Sequence, residues 1–245
     1  MMVQMSQRKP LFAANWKMHK TSAEATSFVR ELLSGPMPDS SDYLIAASFT
    51  LLSGLRQVIG ESPILLAAQN MFFEEQGAFT GEISPLQLKD IGVTHVIIGH
   101  SERRHIFGES DELLNKKLLA CQNYGLIPVF CLGETSEERE SGKAAETIKN
   151  QLSLGINGLN AATVENMIVA YEPVWAIGTG KTASPEQVEE MHHLLRQALP
   201  DTTRLLYGGS VKPDNSEILL TLPSVDGFLV GGAALDPATF RQIFQ

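Results

Sequence analysis

The chain has 245 residues, of which 43% are apolar, and this suits one α/β barrel or two small domains around a sizeable core. The formal net charge of −9 argues against general nucleic-acid binding, because no basic field is available to meet a phosphate backbone. Every uninterrupted apolar stretch stays below the roughly 18 residues that a transmembrane helix requires, so we expect no membrane span.

The cysteine content and the N-terminal residues indicate the compartment. Residues 1–9 form a short polar lead-in that lacks the apolar core of a signal peptide. Cys121 and Cys131 are the only two cysteines, and they provide no disulfide framework. We therefore expect a protein of a reducing, cytoplasmic compartment.

Short apolar runs alternate with longer amphipathic or charged segments along the whole chain. Each run is nearly continuous in hydrophobicity, which is typical of parallel strands that are covered on both faces. The eight runs are 11–14, 43–47, 64–68, 95–98, 126–131, 167–171, 204–207 and 227–230.

The segments between these runs carry signals of helix starts. Ser110 precedes two acidic residues and then apolar residues at helical spacing. Ser184 precedes Pro185 and lies three residues before Gln187, the pattern of a capping box with proline in the first turn. Strands that alternate with helices predict right-handed βαβ units. Eight such units favour a single (β/α)8 barrel domain over residues 1–245, with an open doubly wound sheet as the alternative.

The active site of a parallel barrel lies at the carboxyl ends of its strands, so polar residues after apolar runs are candidates for chemistry. Asn15 and Lys17 follow the first run, His100 follows the fourth, and Glu172 follows the sixth. A carboxylate base, an imidazole and an ammonium group at one rim indicate proton transfer on a small, anionic carbonyl compound.

Glycine-rich turns follow the last two runs. Gly208-Gly209-Ser210 comes after the seventh run, and Gly231-Gly232 comes after the eighth. Phosphate sites of such barrels usually lie in these two loops, where exposed backbone N–H groups can hold a dianion.

Five segments together resemble the signature segments of the triosephosphate isomerase family, in the family's order and at its spacing. The resemblance covers the chain from about residue 10 to its end. The segments are Asn15-Trp16-Lys17, residues 97–104 around His100, residues 171–180 around Glu172, residues 207–211, and Val230-Gly231-Gly232.

This resemblance implies a reaction and a role for each candidate. The reaction would interconvert dihydroxyacetone phosphate and D-glyceraldehyde 3-phosphate through an enediol(ate), in glycolysis and gluconeogenesis. Glu172 would move the proton, neutral His100 and Lys17 would stabilise the oxyanion, Asn15 would donate to an oxygen, and Glu102 would orient Lys17. The phosphate group would be held at four positions besides Asn15 and Lys17, namely Gly178, Ser210, Gly231 and Gly232. Neither a cofactor nor a metal is expected, because the proton moves internally.

Two longer loops are expected to have functions of their own. Residues 173–182 would form a lid with short hinges at its Pro-Val-Trp start and its Gly-Thr-Gly end. The loop of residues 69–82 follows the third run and carries three phenylalanines. In the resembled family it reaches into a second subunit, with the position of Thr80 near the neighbour's Asn15 and Lys17. We therefore expect a homodimer.

Two other functions are alternatives when the residues are considered without the resemblance. A Schiff-base aldolase would need a desolvated lysine inside a strand, and no apolar run contains one. A non-catalytic barrel would be favoured by the loss of Glu172, His100 or Lys17. His95 is expected to pack inside a strand, Cys131 is expected to be a packed thiol, and His192-His193 have no plausible partners for a metal site.

Overall fold

The computed structural model describes residues 8–178 and 182–245, and eight parallel strands in them form a closed barrel. Each strand pairs with the next, and β1 closes the barrel by pairing Leu11 with Gly227 of β8. The strands are β1 (Leu11–Asn15), β2 (Asp42–Ala47), β3 (Ile64–Ala68), β4 (His95–Ile98), β5 (Ile127–Leu132), β6 (Ile168–Tyr171), β7 (Arg204–Tyr207) and β8 (Gly227–Val230).

Helices connect the strands in chain order. The α-helices of the described ranges are α1 (Ser22–Leu33), α2 (Phe49–Ile59), α3 (Pro85–Asp90), α4 (Ser101–His105), α5 (Asp111–Tyr124), α6 (Ser136–Glu140), α7 (Ala144–Gly155), α8 (Ala161–Asn166), α9 (Pro185–Ala198), α10 (Pro213–Leu220) and α11 (Pro237–Ile243). Two short 3-10 helices, Val174–Ala176 and Gly232–Leu235, follow β6 and β8. No helix of the described ranges has both the length and the apolarity that crossing a bilayer requires.

Alternate strand residues supply two separate cores, since successive side chains of a strand point to opposite faces. Inward residues such as Leu44, Ile97 and Leu206 fill the barrel interior. Outward residues such as Phe12 and Tyr43 join the larger layer between the strands and the helices. The predicted coverage of both strand faces is therefore confirmed, and it explains why the runs are continuously apolar.

The closed barrel confirms the predicted fold class and excludes the open doubly wound sheet. Four of the eight strands have the predicted bounds, and the others differ by a residue at one or both ends. The difference matters at β1, because Asn15 is its last residue and not the first residue after it.

Both predicted helix starts are confirmed. The Ser184 side chain accepts a hydrogen bond from the Gln187 backbone N–H, and the Gln187 side chain accepts one from the Ser184 N–H. The Ser110 side chain accepts a hydrogen bond from the Leu113 N–H at the start of α5. These reciprocal bonds satisfy N–H groups that the first helical turn leaves without partners.

Candidate active site

The carboxyl ends of the strands surround a cavity of about 580 Å³. Asn15 and Lys17 from the β1 end, His100 from the β4 end and Glu172 from the β6 end all line it. The residues expected to hold phosphate line the same cavity, namely Gly178, Ser210, Gly231 and Gly232. Glu102 lies beside this cavity, in a smaller one that shares Asn15, Lys17 and His100.

The Glu172 carboxylate is almost completely buried, with 1% of the residue exposed. Its Oε2 accepts a hydrogen bond of 2.8 Å from the backbone N–H of Ser101, and its Oε1 lies 3.0 Å from His100 Nε2. The backbone N–H of Glu172 donates to Leu132, the last residue of the neighbouring strand β5. The end of the barrel sheet therefore holds the Glu172 carboxylate in register with the His100 imidazole.

A glycine beside Glu172 makes this placement possible. A Cβ atom on Gly133 would lie 1.7 Å from the Glu172 carbonyl oxygen, far inside van der Waals contact. Any side chain at position 133 would displace the backbone that carries the carboxylate.

His100 faces opposing influences on its charge. The backbone N–H of Glu102 donates to Nδ1 at 3.3 Å, which favours a neutral ring with its proton on Nε2. Burial also disfavours the imidazolium, but the Glu172 carboxylate and then Glu102 outweigh it, so the pKa of His100 is raised. The charge of His100 is therefore coupled to the position of Glu172.

Lys17 is held by its backbone and by its ammonium group. Its φ of 50° is rare for a residue with a side chain, and its N–H donates to Asn15 Oδ1 at 3.1 Å. Its Nζ lies 2.7 Å from Glu102 Oε1. A Cβ on Gly231 would lie 3.4 Å from Lys17 Cε, so the lysine stem passes directly over this glycine.

These groups converge as the sequence analysis expects for proton transfer. A buried carboxylate, an imidazole and an ammonium group meet at one mouth of the barrel, and glycine-rich turns line the same cavity. Such a set can remove a proton next to a carbonyl group and stabilise the negative oxygen that forms.

Comparison with known proteins decides the family. The sequence model of the family described as triosephosphate isomerase matches residues 10–245. A protein named triosephosphate isomerase from Carboxydothermus hydrogenoformans is 49% identical, over 97% of this chain and 98% of its own length. Proteins of the same name from Citrifermentans bemidjiense and Dictyoglomus thermophilum are 48% and 46% identical, over 97% of this chain and 98% and 99% of theirs. This chain belongs to the triosephosphate isomerase family.

Three residues that the sequence pattern did not single out contact the candidate site of this triosephosphate isomerase family member. Ser101 acts through its backbone N–H, which no side-chain pattern could reveal. Gln69 follows β3, and its amide donates to Asn15 Oδ1 at 3.3 Å and to the Lys17 carbonyl at 2.9 Å. Glu134 follows β5 at a distance of two residues. Gln69 and Glu134 both follow strands, so the pattern of a polar residue after an apolar run is a signal that also fits them.

Glu134 links the end of β5 to the segment around Glu172. Its side chain is fully buried, and Oε1 accepts hydrogen bonds from the Tyr171 hydroxyl at 3.0 Å and the Trp175 indole at 2.9 Å. Arg139 forms an ion pair with the same oxygen at 3.1 Å. Burial and this carboxylate raise the pKa of Tyr171, so its hydroxyl remains a donor.

The remaining candidates are packed groups. Burial raises the pKa of the Cys131 thiol well above its ordinary value, which confirms a packed thiol rather than a nucleophile. His95 is buried within β4, as expected. The buried lysine that an aldolase would require is absent from all eight strands, and the buried Lys117 lies on α5 in an ion pair with Glu109.

Proposed function

We propose that this chain interconverts dihydroxyacetone phosphate and D-glyceraldehyde 3-phosphate by moving one proton between adjacent carbons. One observation carries the proposal: Glu172, His100 and Lys17 line a single cavity, with His100 Nε2 3.0 Å from the Glu172 carboxylate. Membership of the triosephosphate isomerase family supports the choice of substrate.

Glu172 is the proposed base. It takes a proton from the carbon beside the carbonyl group and returns it to the neighbouring carbon, while a proton is redistributed between the two oxygens. Because the proton moves internally and no net oxidation occurs, the reaction needs neither a cofactor nor a metal. To reach the carbon, the carboxylate exchanges its bond with Ser101 N–H for the substrate, and its position on the cavity wall supports this.

His100, Lys17 and Asn15 are proposed to stabilise the enediolate. With Nδ1 accepting the Glu102 N–H, the Nε2–H of a neutral His100 is free to donate to an oxygen once Glu172 turns to the carbon. Lys17 supplies a fixed positive charge, and Glu102 at 2.7 Å holds that charge in place.

The phosphate group is proposed to bind at the glycine-rich turns after β7 and β8, together with Gly178. Gly178, Ser210, Gly231 and Gly232 line this part of the cavity, where backbone N–H groups can surround a dianion. The position of Gly231 under the Lys17 stem supports a shared contact of phosphate with the ammonium group.

Residues 173–182 are proposed to close over the substrate, although residues 179–181 lie outside those that the structure describes. Closure matters because an enediolate phosphate exposed to water can eliminate its phosphate group. We expect deletion of residues 177–180 to lower turnover and to raise the fraction of turnovers that release inorganic phosphate, measured with a phosphate assay beside the isomerase assay. An unchanged product ratio would contradict the lid.

A homodimer is proposed through the loop of residues 69–82. Apolar side chains beside the active site are uncovered, with Met18 95% and Phe107 65% exposed, and both line the cavity next to Lys17. Thr80 and Phe79 are exposed at the end of the loop that would enter a partner's cavity. Uncovered apolar area of this kind supports a protein partner.

An assay of isomerisation with substitutions at Glu172 tests the proposal. Glu172→Asp withdraws the carboxylate by one methylene, about 1 Å, so we expect turnover to fall by roughly 100-fold with little change in KM. Glu172→Gln removes the base and should reduce turnover further. The matched control is Glu165→Asp on the exposed side of α8, which should behave as the wild type. Wild-type turnover in Glu172→Gln would refute the role of this carboxylate.

A further inference from the structure

The loop of residues 16–20 between β1 and α1 has an unusual backbone. Lys17 and Lys20, with φ of 50° and 74°, are the non-glycine residues with positive φ among those that the structure describes. Side chains make this conformation unfavourable, so it persists only where contacts hold it. The proposed mechanism accounts for Lys17, but it gives Lys20 no role.

The ammonium group of Lys20 is anchored at three points. Its Nζ donates a hydrogen bond of 2.8 Å to the carbonyl oxygen of Leu235, at the end of the 3-10 helix Gly232–Leu235. It also lies 4.6 Å from the ring centre of Phe28 on α1 and 5.2 Å from that of Trp16. Cation–π contacts of this length fix an ammonium group over an aromatic face.

The carbonyl that Lys20 holds belongs to the proposed phosphate wall. Ala233 and Leu235 line the active-site cavity together with Gly231 and Gly232. The N–H of Ala234 donates to the Gly231 carbonyl at 2.9 Å, so this bond closes the turn that contains Gly231 and Gly232. Lys20 does not line the cavity itself, and it therefore contacts this wall from behind.

We propose that Lys20 is a positioning residue for the substrate phosphate: it ties residues 231–235 to the loop that carries Lys17. Building on the proposed function, this bond sets the separation between the Lys17 ammonium group and the backbone N–H groups of Gly231 and Gly232. A phosphate group bound by both loops is sensitive to that separation.

Lys20 is partly buried and lies near two carboxylates. Burial lowers the pKa of Lys20, and the carboxylates of Glu24 and Asp236 oppose this effect. Glu24 belongs to the capping box of α1, where it accepts from the Thr21 N–H, and Asp236 accepts from the Thr239 N–H at the start of α11. The two carboxylates therefore lie at the starts of the first and last helices in chain order.

Binding of inorganic phosphate and kinetics of Lys20→Met test the proposal. Methionine keeps the aliphatic stem and removes the donor. We expect the dissociation constant of inorganic phosphate, measured by calorimetry, and the KM for D-glyceraldehyde 3-phosphate to rise about tenfold, with kcat within about twofold of the wild type. Turnover of D-glyceraldehyde, which has no phosphate group, should not change. Lys20→Arg, which can again donate to the Leu235 carbonyl, should restore most of the affinity.

The control is Lys149→Met, which removes an exposed lysine of α7 and should leave both constants unchanged. Unchanged phosphate affinity in Lys20→Met would overturn the proposal, as would equal losses with D-glyceraldehyde and its phosphate. If Lys20→Met does not fold, Lys20→Leu, which also lacks a donor, replaces it, with the same outcomes. Phosphate binding is read without catalysis, so a wild-type chain that binds phosphate but does not isomerise would refute the proposed function alone.

Discussion

Burial at single residues decides which side chains around β6 carry charge. His192 on α9 is fully buried, its Nδ1 lies 3.0 Å from the Ser224 carbonyl, and its ring meets Tyr171 edge-on. Burial lowers the pKa of His192 to about 4. The neutral ring therefore packs behind β6, the strand that ends next to Glu172.

The buried His192 predicts a loss of stability in mild acid. Its pKa is about 4 in the folded chain and about 6.5 when unfolded, so between these values the unfolded state binds more protons. The contribution is present above pH 6.5 and is lost as pH falls toward 4. Between pH 7 and pH 5 it should lower the free energy of unfolding by about 2 kcal/mol, measured by urea unfolding at fixed protein concentration.

His192→Gln should therefore show a smaller fall in stability over this pH range than the wild type. His193→Gln is the matched control, since His193 is the exposed neighbour on the same helix. Equal pH dependence in the wild type and His192→Gln would contradict the assignment.

The buried face of a helix can be predicted from the spacing of its apolar residues. In α9, the residues predicted to face the core are Val188, Met191, Leu195 and Ala198, and the first three are buried. Ala198 is exposed because α9 ends there, and His192 takes a place on the buried face instead. Apolar periodicity thus predicted the buried face of α9 correctly. The end of the helix and the elements packed against it decided which residues on that face are buried.

Removal of the α9 cap should cost a measurable part of the stability. Ser184→Ala leaves the Gln187 N–H without its acceptor, at a cost of about 1 kcal/mol, which corresponds to a fall in Tm of roughly 2–4 °C. Ser184→Asp keeps an acceptor and should retain the wild-type Tm within about 1 °C. A Ser184→Ala protein with an unchanged Tm would show that the cap is not needed.

At the scale of the molecule, the barrel rim brings exposed apolar residues next to the site. Met18, Phe49 and Phe107 share the small cavity with Lys17 and Glu102. Phe79 belongs to a cluster with Phe72 and Phe73 that shapes the loop of residues 69–82. A preformed loop loses little conformational entropy on binding, which favours assembly.

The proposed dimer should be visible by sedimentation. At micromolar concentration, we expect a species of twice the chain mass of 26.7 kDa. Met18→Asp places a charge on the uncovered apolar surface and should shift the protein toward monomer. Ile218→Asp changes an equally apolar exposed residue on α10, away from this surface, and should leave the dimer intact. A wild-type chain that sediments only as a monomer would rule out the proposal.

Local pattern and one geometric rule account for what the sequence by itself determined. Hydrophobic runs identified all eight strands, and capping residues identified the starts of α5 and α9, because these signals come from neighbours along the chain. Because parallel strands of a barrel end at one rim, the sequence also predicted that Glu172, His100 and Lys17 lie close together.

The tertiary structure alone decided how distant residues meet. The bond from Ser101 N–H to Glu172 spans 71 positions, and the bond from Lys20 to the Leu235 carbonyl spans 215. The bond from the Gln69 amide to the Lys17 carbonyl and the contact of His192 with the Ser224 carbonyl also join residues that are distant in sequence. Contacts of this kind depend on how the barrel closes and on the stagger of its strands, which determine which side chains become neighbours. No periodicity along the chain contains this information.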